Sequence, residues 1–482
     1  MEYTKEELLE MPVFSHFNQL CQIPHASGNE KALSDYLLQW GKQRKLDIKQ
    51  DKWHNIFISK PASKGYEKAP VIMLQAHIDM VADKAAHVKF DWEKDPVEWF
   101  VDGDIISTKG KTTLGADDGV GVALAMAILE DEKHPHPALE VAFTTNEEDD
   151  FSGADGFAFP IKADYLLNLD SSNEKRIVCS SCGGMEATIT LPVNYEEVPH
   201  GYTGYRIAIS GMAGGHSGQC VNKGYDNANA LLGRFMLELH EHMKFMLGGL
   251  EGGTFRLTLS RGAWVDMAFL RDNLHLVEEA VEKLRKDILE EHPLTGKDVK
   301  VELIPIKMFH KGVRPGKIIN LLVLAADGVH QMNEMFTDTV ASSDNMGVVK
   351  LDKKKFTMIF EIRSLQESVK NFLFEKLCLI AKIIGGKCKG AKSYPGWPQR
   401  AKSPLRDKMV AVYQEFYGET PEVVASQGGL EVAYFFKLRK NLDAVSIGPN
   451  RWLGHTPEEK MSISSTAKFY EYLQKLLAEI KA

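Results

Sequence analysis

Histidines and carboxylates end several apolar segments of this 482-residue chain, where they could bind metal. The set comprises His77, Asp79, Asp117, Glu147, Glu148, Asp170 and His455. From this set, the two histidines and three of the carboxylates would suit two divalent metals that share a bridging carboxylate. Mixed imidazole and carboxylate ligands favour zinc. A second glutamate beside a ligand glutamate would then act as a general base.

Taken singly, each of these positions has a purely structural explanation. His77 is compatible with an ordinary strand end, Asp117 with a helix N-cap, and residues 147–150 with a solvated acidic loop. Asp170, beside two serines, is compatible with a turn cap, and His455 with a surface loop. However, four adjacent carboxylates repel one another, which is costly without a cation. The joint occurrence of these residues in this order therefore indicates a metal site.

The segments that carry these residues alternate between strand and helix patterns. Strands are predicted around 53–59, 71–76, 139–145 and 164–169, and a mostly buried helix over 120–131. Ser27 and Glu30 form a capping-box pattern that predicts the start of an earlier helix. This rhythm predicts an α/β fold with a mixed, largely parallel sheet flanked by helices. Strands of such a sheet deliver side chains to one edge.

A diverged internal repeat predicts a second, α+β domain between about 186 and 392. Its first copy reads as a strand over 254–259, a strand over 264–270 and a helix over 273–288. Its second copy reads as strands over 345–351 and 355–364 and a helix over 365–384. Because His455 follows this segment and the other ligands precede it, the first domain is predicted to be discontinuous. The predicted ranges are 1–185 plus 396–482 for a catalytic domain and 186–395 for an inserted lid and dimerisation domain.

The composition excludes several classes of function. A net charge of -8 without a basic block argues against a nucleic-acid partner. No apolar run approaches the roughly 18 residues of a membrane span, and the N-terminus lacks a signal-peptide pattern. Six cysteines are too sparse for a disulfide scaffold. We therefore expect a cytoplasmic protein with no membrane partner.

The ordered motifs resemble the M20 family of metallopeptidases, and within it the aminoacyl-histidine dipeptidase branch. They are IPHASGNE, QAHIDMV, TTLGADDGVG, NEED, NLDSS, GGHSG, EIRSL, SYPGW, GGLE and SIGPNRWLGHTPEE. The resemblance implies a di-zinc hydrolase active in proteolysis, with two Zn²⁺ per subunit for which Co²⁺ or Mn²⁺ could substitute. It also implies a small peptide substrate and a homodimer.

The resemblance implies a metal-binding role for five residues. His77 and Asp170 would bind one zinc ion, Glu148 and His455 the other, and Asp117 would bridge the two.

It implies catalytic and substrate-binding roles for others. Glu147 would be the general base, and Asp79 would accept the second ring N–H of the ligand histidine. His216, in GGHSG, would stabilise the oxyanion and in a dimer would serve the neighbouring subunit's site. The residues implied in substrate binding are Arg363, Asn345 and Glu431.

The sequence departs from the family pattern at two places. Asp149 and Asp150 stand where the family usually has a small residue and a glycine, and Leu257 stands where it typically has an asparagine. None of these positions is one of the five implied metal ligands, so the departures bear on substrate preference.

The expected function is metal-dependent hydrolysis of dipeptides with a free N-terminus. The substrates would be Xaa-His dipeptides of the carnosine type, attacked by a zinc-bridged hydroxide with Glu147 as general base. One alternative is an M20-type deacylase or carboxypeptidase acting on N-acyl amino acids, against which the doubled repeat argues. The other is a non-catalytic metal-binding module, in which a free Glu147 would have no use.

Overall fold

The computed structural model of the protein describes residues 3–325, 327–336 and 339–481. Its α-helices are α1 (Lys5–Leu9), α2 (Pro12–Cys21), α3 (Lys31–Gln43), α4 (Ala116–Glu130), α5 (Ser152–Gly156), α6 (Ser217–Cys220), α7 (Ala228–His242), α8 (Leu274–Glu291), α9 (Gly316–Leu324), α10 (Glu367–Ile384), α11 (Pro404–Tyr417), α12 (Val432–Leu438) and α13 (Ile463–Glu479). Its strands are β1 (Asp47–Gln50), β2 (Ile56–Lys60), β3 (Ile72–His77), β4 (Phe100–Asp102), β5 (Ile105–Ser107), β6 (Leu139–Thr144), β7 (Tyr165–Asn168), β8 (Arg176–Ser181), β9 (Gly183–Pro192), β10 (Glu196–Glu197), β11 (Tyr202–Ser210), β12 (Phe245–Gly252), β13 (Ala263–Leu270), β14 (Lys300–Pro305), β15 (Lys311–Gly312), β16 (Gly328–Met332), β17 (Val340–Leu351), β18 (Lys355–Ser364), β19 (Lys387–Tyr394), β20 (Glu422–Ser426), β21 (Asp443–Ser446), β22 (Arg451–Trp452) and β23 (Lys460–Ser462). Within those residue ranges, no helix is both long enough and apolar enough to cross a membrane.

The chain folds into two compact units. The first runs to Ser180 and resumes over Gln399–Ser426 and from Leu430 onward. The second comprises Ser181–Pro398 together with Gln427–Gly429.

The first unit is built on a mixed sheet with the strand order β1-β2-β6-β3-β7-β21-β8-β20. Its centre is parallel, since β3 pairs with β6 and β7, and β7 pairs with β21. The flanking pairs β1–β2, β2–β6 and β21–β8 are antiparallel. Every side chain of β3 is buried, as expected for a strand covered on both faces. The predicted fold class is confirmed.

Helix α4 is the buried helix that the sequence predicts. All residues from 119 to 129 are buried, because α4 packs against both α2 and β3. Gly119 permits a close approach, since a Cβ there would lie 3.3 Å from the ring of Phe17. This packing fixes the start of the helix, where Asp117 lies.

The second unit has its own antiparallel sheet and its own apolar core. The strand order is β14-β11-β13-β12-β17-β18-β9-β19, and β16 also pairs with β17. Helices α7, α8 and α10 pack against this sheet, and α9 packs against α7 and α10. The core includes Leu232, Phe235, Phe269, Phe356 and Phe360, each at most 2% exposed.

The first strand predicted for the internal repeat is wrong. Residues 254–259 form a loop in which Phe255 is 52% exposed, and the strand that precedes β13 is β12 instead. The other elements lie close to their predicted positions, in β13, α8, β17, β18 and α10. The loop between β12 and β13, residues 253–262, is called the 253–262 loop below.

Candidate metal centre and active site

Three neighbouring parallel strands of the first unit deliver the predicted residues to one edge of the sheet. In register, His77 at the end of β3 lies opposite Thr144 at the end of β6. Strand β7 runs parallel to β3 on the other side. The chain just beyond these strand ends carries Glu147, Glu148 and Asp170, so the carboxyl edge of the sheet collects them around His77.

The five predicted ligands lie close together at this edge. His77 Nε2 is 3.5 Å from Asp117 Oδ1 and 3.9 Å from Asp170 Oδ1. His455 Nε2 is 2.8 Å from Glu148 Oε1 and 3.5 Å from Asp117 Oδ2. Each oxygen of Asp117 thus faces a different histidine, as a bridging carboxylate requires. Ligand atoms of His77, Asp117 and Glu148 all lie within 4.8 Å of one another.

The charges of this cluster fit divalent cations. Burial, followed by the charge of Asp117, raises the pKa of Asp170 to about 7. Burial also raises the pKa values of Asp118 and Glu147 well above their ordinary range, and neighbouring carboxylates add to both shifts. A bound cation relieves this kind of repulsion and favours the ionised carboxylates. The residues present therefore fit the predicted metal pair.

The first turn of α4 presents Asp117, and a glutamate from a distant segment binds the main chain there. The N-cap of α4 is Gly115, with φ +73°, so the interpretation of Asp117 as an N-cap is wrong. Asp117 lies in the first turn and has non-helical backbone angles (φ -86°, ψ 105°). Glu459, only 2% exposed, accepts N–H bonds from Leu114, Gly115 and Asp117 at 2.7, 3.0 and 3.0 Å. Sequence reasoning missed Glu459, although it stands four residues after His455.

A buried arginine, also missed by sequence reasoning, joins two of the carboxylates. Arg451 Nη1 donates to Asp117 Oδ1 at 3.0 Å, and its Nη2 donates to Asp170 Oδ1 at 3.0 Å. Although burial raises the pKa of Asp117, Arg451 and the two nearby histidines hold it well below its ordinary value. Arg451 thus stabilises the ionised form of Asp117, the form that its predicted role as a metal ligand requires.

Asp79 connects the strand-end histidine to the glutamate loop. Its carboxylate, in a residue that is 1% exposed, accepts the N–H groups of Glu147 and Glu148 at 3.0 and 3.2 Å and the Ser27 hydroxyl at 2.8 Å. His77 Nδ1 lies 3.0 Å from the main-chain oxygen of Asp79 and 3.4 Å from Oδ1. One residue therefore positions both the histidine and the paired glutamates.

The predicted capping box is wrong. Helix α3 begins at Lys31, with Glu30 as its N-cap and no side-chain cap hydrogen bond. The Ser27 hydroxyl binds the carboxylate described above, and Glu30 Oε1 accepts the N–H of Asn146 at 3.1 Å. These two residues therefore tie the N-terminal segment to the turn that presents the glutamates.

The acidic run after β6 divides into two parts. Glu147 and Glu148 are partly buried, whereas Asp149 and Asp150 are exposed. Asp150 Oδ1 accepts hydrogen bonds from Asn146 Nδ2 at 2.8 Å and from the Ser152 N–H at 2.9 Å, so it stabilises the turn itself. The solvated-loop interpretation therefore describes only the second half of the run.

Glu431 lies in the first unit, where it binds polar side chains of β3 and β6. Its Oε2 accepts hydrogen bonds from Gln75 Nε2 at 2.7 Å and from Thr144 Oγ1 at 2.6 Å, and the residue is 2% exposed. Burial raises its pKa to about 8. These contacts are all with the sheet, and its role in substrate binding stays a prediction.

Within the second unit, the structure brings His216, Asn345 and Arg363 into one polar cluster. A Cβ on Gly218 would lie 3.2 Å from the His216 ring and 3.5 Å from Arg363 Cζ. Asn345 Nδ2 donates to the main-chain oxygen of Thr258 at 2.9 Å, and Thr258 forms a β-bridge with His216. Burial and two nearby arginines lower the pKa of His216, which favours the neutral imidazole.

Two buried atoms of this cluster have unused hydrogen-bonding capacity. Among the described residues, Arg363 Nε and Asn345 Oδ1 have no hydrogen-bond partner. Asn345 Nδ2 already donates to two main-chain oxygens, those of Arg256 and Thr258. Arg363 therefore offers a donor, and Asn345 an acceptor, to a bound molecule.

A second group of metal-type side chains lies in the second unit. His292 Nε2 lies 2.6 Å from Asp226 Oδ2, with Glu291 nearby. Arg234 donates to Glu291 Oε2 at 2.9 Å. The strand-end cluster is the better candidate metal centre, because it is more buried and brings more ligand-type side chains together.

Comparison with known proteins identifies the family. Residues 73–479 match the family described as Peptidase family M20/M25/M40. The chain belongs to this peptidase family. The predicted resemblance is therefore confirmed at the level of the family.

Individual relatives match over the full length of the chain. The cytosol non-specific dipeptidase of Escherichia coli K12 is 34% identical over 482 residues, which cover 99% of each protein. The crystal structure of aminoacylhistidine dipeptidase from Vibrio alginolyticus matches with a TM-score of 0.94 and 30% identity, covering 99% of this chain and 98% of that one. Aminopeptidase PepT from Bacillus cereus shares the fold, with a TM-score of 0.55 and 16% identity over 97% of this chain and 98% of that one.

Proposed function

We propose that this protein is a two-metal dipeptidase that hydrolyses dipeptides with a free N-terminus and prefers Xaa-His substrates. One observation carries the proposal most: five ligand-type side chains converge at one sheet edge, with a second glutamate beside them. These residues are His77, Asp117, Glu148, Asp170, His455 and the adjacent Glu147. End-to-end similarity to a dipeptidase supports the same class of reaction.

Five side chains of the first unit would hold the two ions. His77 and Asp170 would bind one ion, Glu148 and His455 would bind the other, and Asp117 would contribute to both. Zinc suits this mixture of imidazole and carboxylate, and cobalt or manganese substitutes for it. When bound, the ions acidify water and polarise the scissile carbonyl.

Glu147 transfers the protons of the reaction. Its main-chain N–H and that of Glu148 both donate to the Asp79 carboxylate, which fixes the turn that carries the two glutamates. It accepts a proton from the attacking water and later delivers that proton to the leaving amine. A purely structural metal centre would have no use for this second glutamate, which argues against a non-catalytic module.

The polar cluster of the second unit recognises the substrate. Arg363 binds the C-terminal carboxylate, because guanidinium groups suit carboxylates. Asn345 Oδ1, with its amide hydrogens engaged, accepts a substrate N–H. His216 donates to the oxyanion, in the site of the second subunit of a homodimer. Glu431 completes the proposed substrate-binding set from the first unit.

Recognition of the C-terminal carboxylate would select substrates with a free C-terminus, and the restriction to dipeptide length stays a prediction that a tripeptide substrate tests. The preference for a C-terminal histidine is supported by the structural similarity to the Vibrio alginolyticus aminoacylhistidine dipeptidase. The Escherichia coli relative is named as non-specific, so the preference needs a direct comparison of substrates.

A hydrolysis screen tests the proposal. Zinc-loaded protein is assayed with Ala-His, Gly-His, Ala-Ala, Ala-Ala-His and N-acetyl-histidine, with Glu147→Gln as the inactive control. We expect hydrolysis of the dipeptides, with the highest kcat/KM for the Xaa-His pair. Cleavage of N-acetyl-histidine alone would identify a deacylase, and absence of hydrolysis by metal-loaded protein would identify a binding module.

A further inference from the structure

The 253–262 loop is fixed on both sides of His216. The Ser217 N–H donates to the main-chain oxygen of Leu257 at 2.7 Å. The Leu259 N–H donates to the main-chain oxygen of Gly215 at 3.0 Å. The first contact uses only the main chain of Leu257, so the departure from asparagine there leaves it intact.

The same loop is bound to the strand that carries Asn345. Asn345 Nδ2 donates to the main-chain oxygen of Arg256 at 2.7 Å. Gly347, two residues on, lies so close that a Cβ there would be 2.5 Å from Arg256 Cα. The backbone at Arg256 therefore packs directly against β17.

The Arg256 side chain reaches the next strand and pairs with a buried carboxylate. Its Nη1 donates to Glu361 Oε2, and its Nε lies 3.3 Å from Glu186 Oε2. The side chain of Glu361 is 1% exposed and that of Arg256 is 14% exposed. A carboxylate this deeply buried requires a cationic partner to stay ionised.

Glu361 also forms an ion pair with Arg363, the proposed substrate-binding arginine, and this pair is longer than the one with Arg256. Glu361 and Arg363 are two residues apart on β18, so their side chains share a face. Glu361 Oε1 lies 3.8 Å from Arg363 Nη2 and has no hydrogen-bond partner among the described residues. Arg363 instead donates through Nη1 to the Tyr394 hydroxyl at 3.1 Å and to the main-chain oxygen of Gln427 at 3.0 Å.

We propose that Arg256 is a positioning residue that neutralises Glu361 and thereby leaves Arg363 available for the substrate carboxylate. Without Arg256, the nearest cation to Glu361 is Arg363. A carboxylate that occupies Arg363 competes with the carboxylate of the substrate and repels it. The inference rests on the proposed function, because it assumes that Arg363 receives that carboxylate.

The test compares a dipeptide with its amide, which lacks the carboxylate. We expect Arg256→Met to raise KM for Ala-His about tenfold or more, as losing one partner of a buried charge pair does. KM for Ala-His amide and kcat for both substrates should change much less. A purely structural role would instead change the parameters of both substrates together.

A second substitution separates charge neutralisation from direct substrate contact. In the double variant Arg256→Met/Glu361→Gln, the competing carboxylate is absent, so KM for Ala-His should return close to the wild-type value. Arg261→Met is the matched control, since Arg261 is an exposed arginine of the same loop whose Nε donates to the main-chain oxygen of Met212 at 3.0 Å. It should leave both KM values unchanged.

Several results would overturn the inference. An unchanged KM for Ala-His in Arg256→Met would show that Arg256 is not needed. If that variant does not fold, a folded double variant with the same KM as Glu361→Gln supports the inference, because removing the Glu361 charge then removes the need for Arg256. A higher KM in the double variant would show that Arg256 contacts substrate itself. Failure of the proposed function is distinguishable, because wild-type protein would then fail to hydrolyse Ala-His or to prefer it to the amide.

Discussion

Asp79→Asn tests how far the metal centre depends on a side chain that is proposed to bind neither metal nor substrate. The Asp79 carboxylate accepts three hydrogen bonds, from the N–H groups of Glu147 and Glu148 and from the Ser27 hydroxyl. Asparagine has nearly the same shape but presents an NH₂ group where one oxygen was, so at least one buried donor loses its acceptor. An unsatisfied buried donor costs about 1–3 kcal/mol, and bonds to a charged acceptor are worth about 1.5–3 kcal/mol. We expect the free energy of unfolding of the metal-free protein to fall by about 2–4 kcal/mol.

The same substitution should weaken the metal centre. Because His77 and the paired glutamates both contact Asp79, losing its charge loosens ligands of both proposed ions. Losing a partner behind the ligands typically lowers metal affinity or activity about 10–100-fold. Competition with a fluorescent chelator measures the zinc Kd, and urea unfolding of metal-free protein measures stability.

The control is Asp83→Asn, at an exposed aspartate whose carboxylate accepts the N–H of Lys84 at 2.8 Å. It should change neither quantity by more than a few tenths of a kcal/mol. Wild-type zinc affinity and stability in Asp79→Asn would refute the argument that this carboxylate positions the ligands.

Three further predictions address the reaction itself. Removing metal with a chelator should abolish hydrolysis, and zinc, cobalt or manganese should restore it; full activity in a preparation shown by elemental analysis to be metal-free would contradict a metal mechanism. Glu147→Gln should retain metal but lose about 10²–10⁴-fold in kcat, whereas Glu148→Gln should lose metal, and equal metal loss in both variants would contradict the division of roles. Mixing His216→Ala with Glu147→Gln subunits should restore activity at up to about half of the sites in each mixed dimer, and no recovery after verified subunit exchange would show that His216 does not serve the neighbouring site.

The 253–262 loop shows where local pattern and tertiary structure disagree. Its sequence TFRLTL alternates and contains β-formers, which predicts a strand. The strand that forms is β12, although it contains Gly248 and Gly249. It pairs with both β13 and β17 inside the sheet, and a Cβ on Gly248 would lie 2.5 Å from the Phe309 ring. Main-chain pairing and this close approach decide the outcome, and neither is visible in a local pattern.

Ser27 and Glu30 illustrate the same limit at the metal centre. Their spacing satisfies the capping-box rule, yet both side chains bind partners that are distant in sequence. Serine and glutamate can satisfy backbone groups of any segment that folds against them. A spacing rule therefore finds the residues but not their partners.

Sequence patterns were enough to predict the strands that end in histidines and carboxylates, the buried helix α4 and the mixed α/β class, because side-chain periodicity is a local property. It also indicated which residues to expect at the carboxyl edge, since parallel strands end together. The partners that hold these residues depend on how distant segments pack, so they could be identified only from the folded chain. Arg451 and Glu459 come from a segment more than 300 residues after Asp117, yet they contact its carboxylate and its main chain. Nothing local to Arg256 marks it as the partner of Glu361, because a buried charge finds its counter-ion through the packing of separate segments.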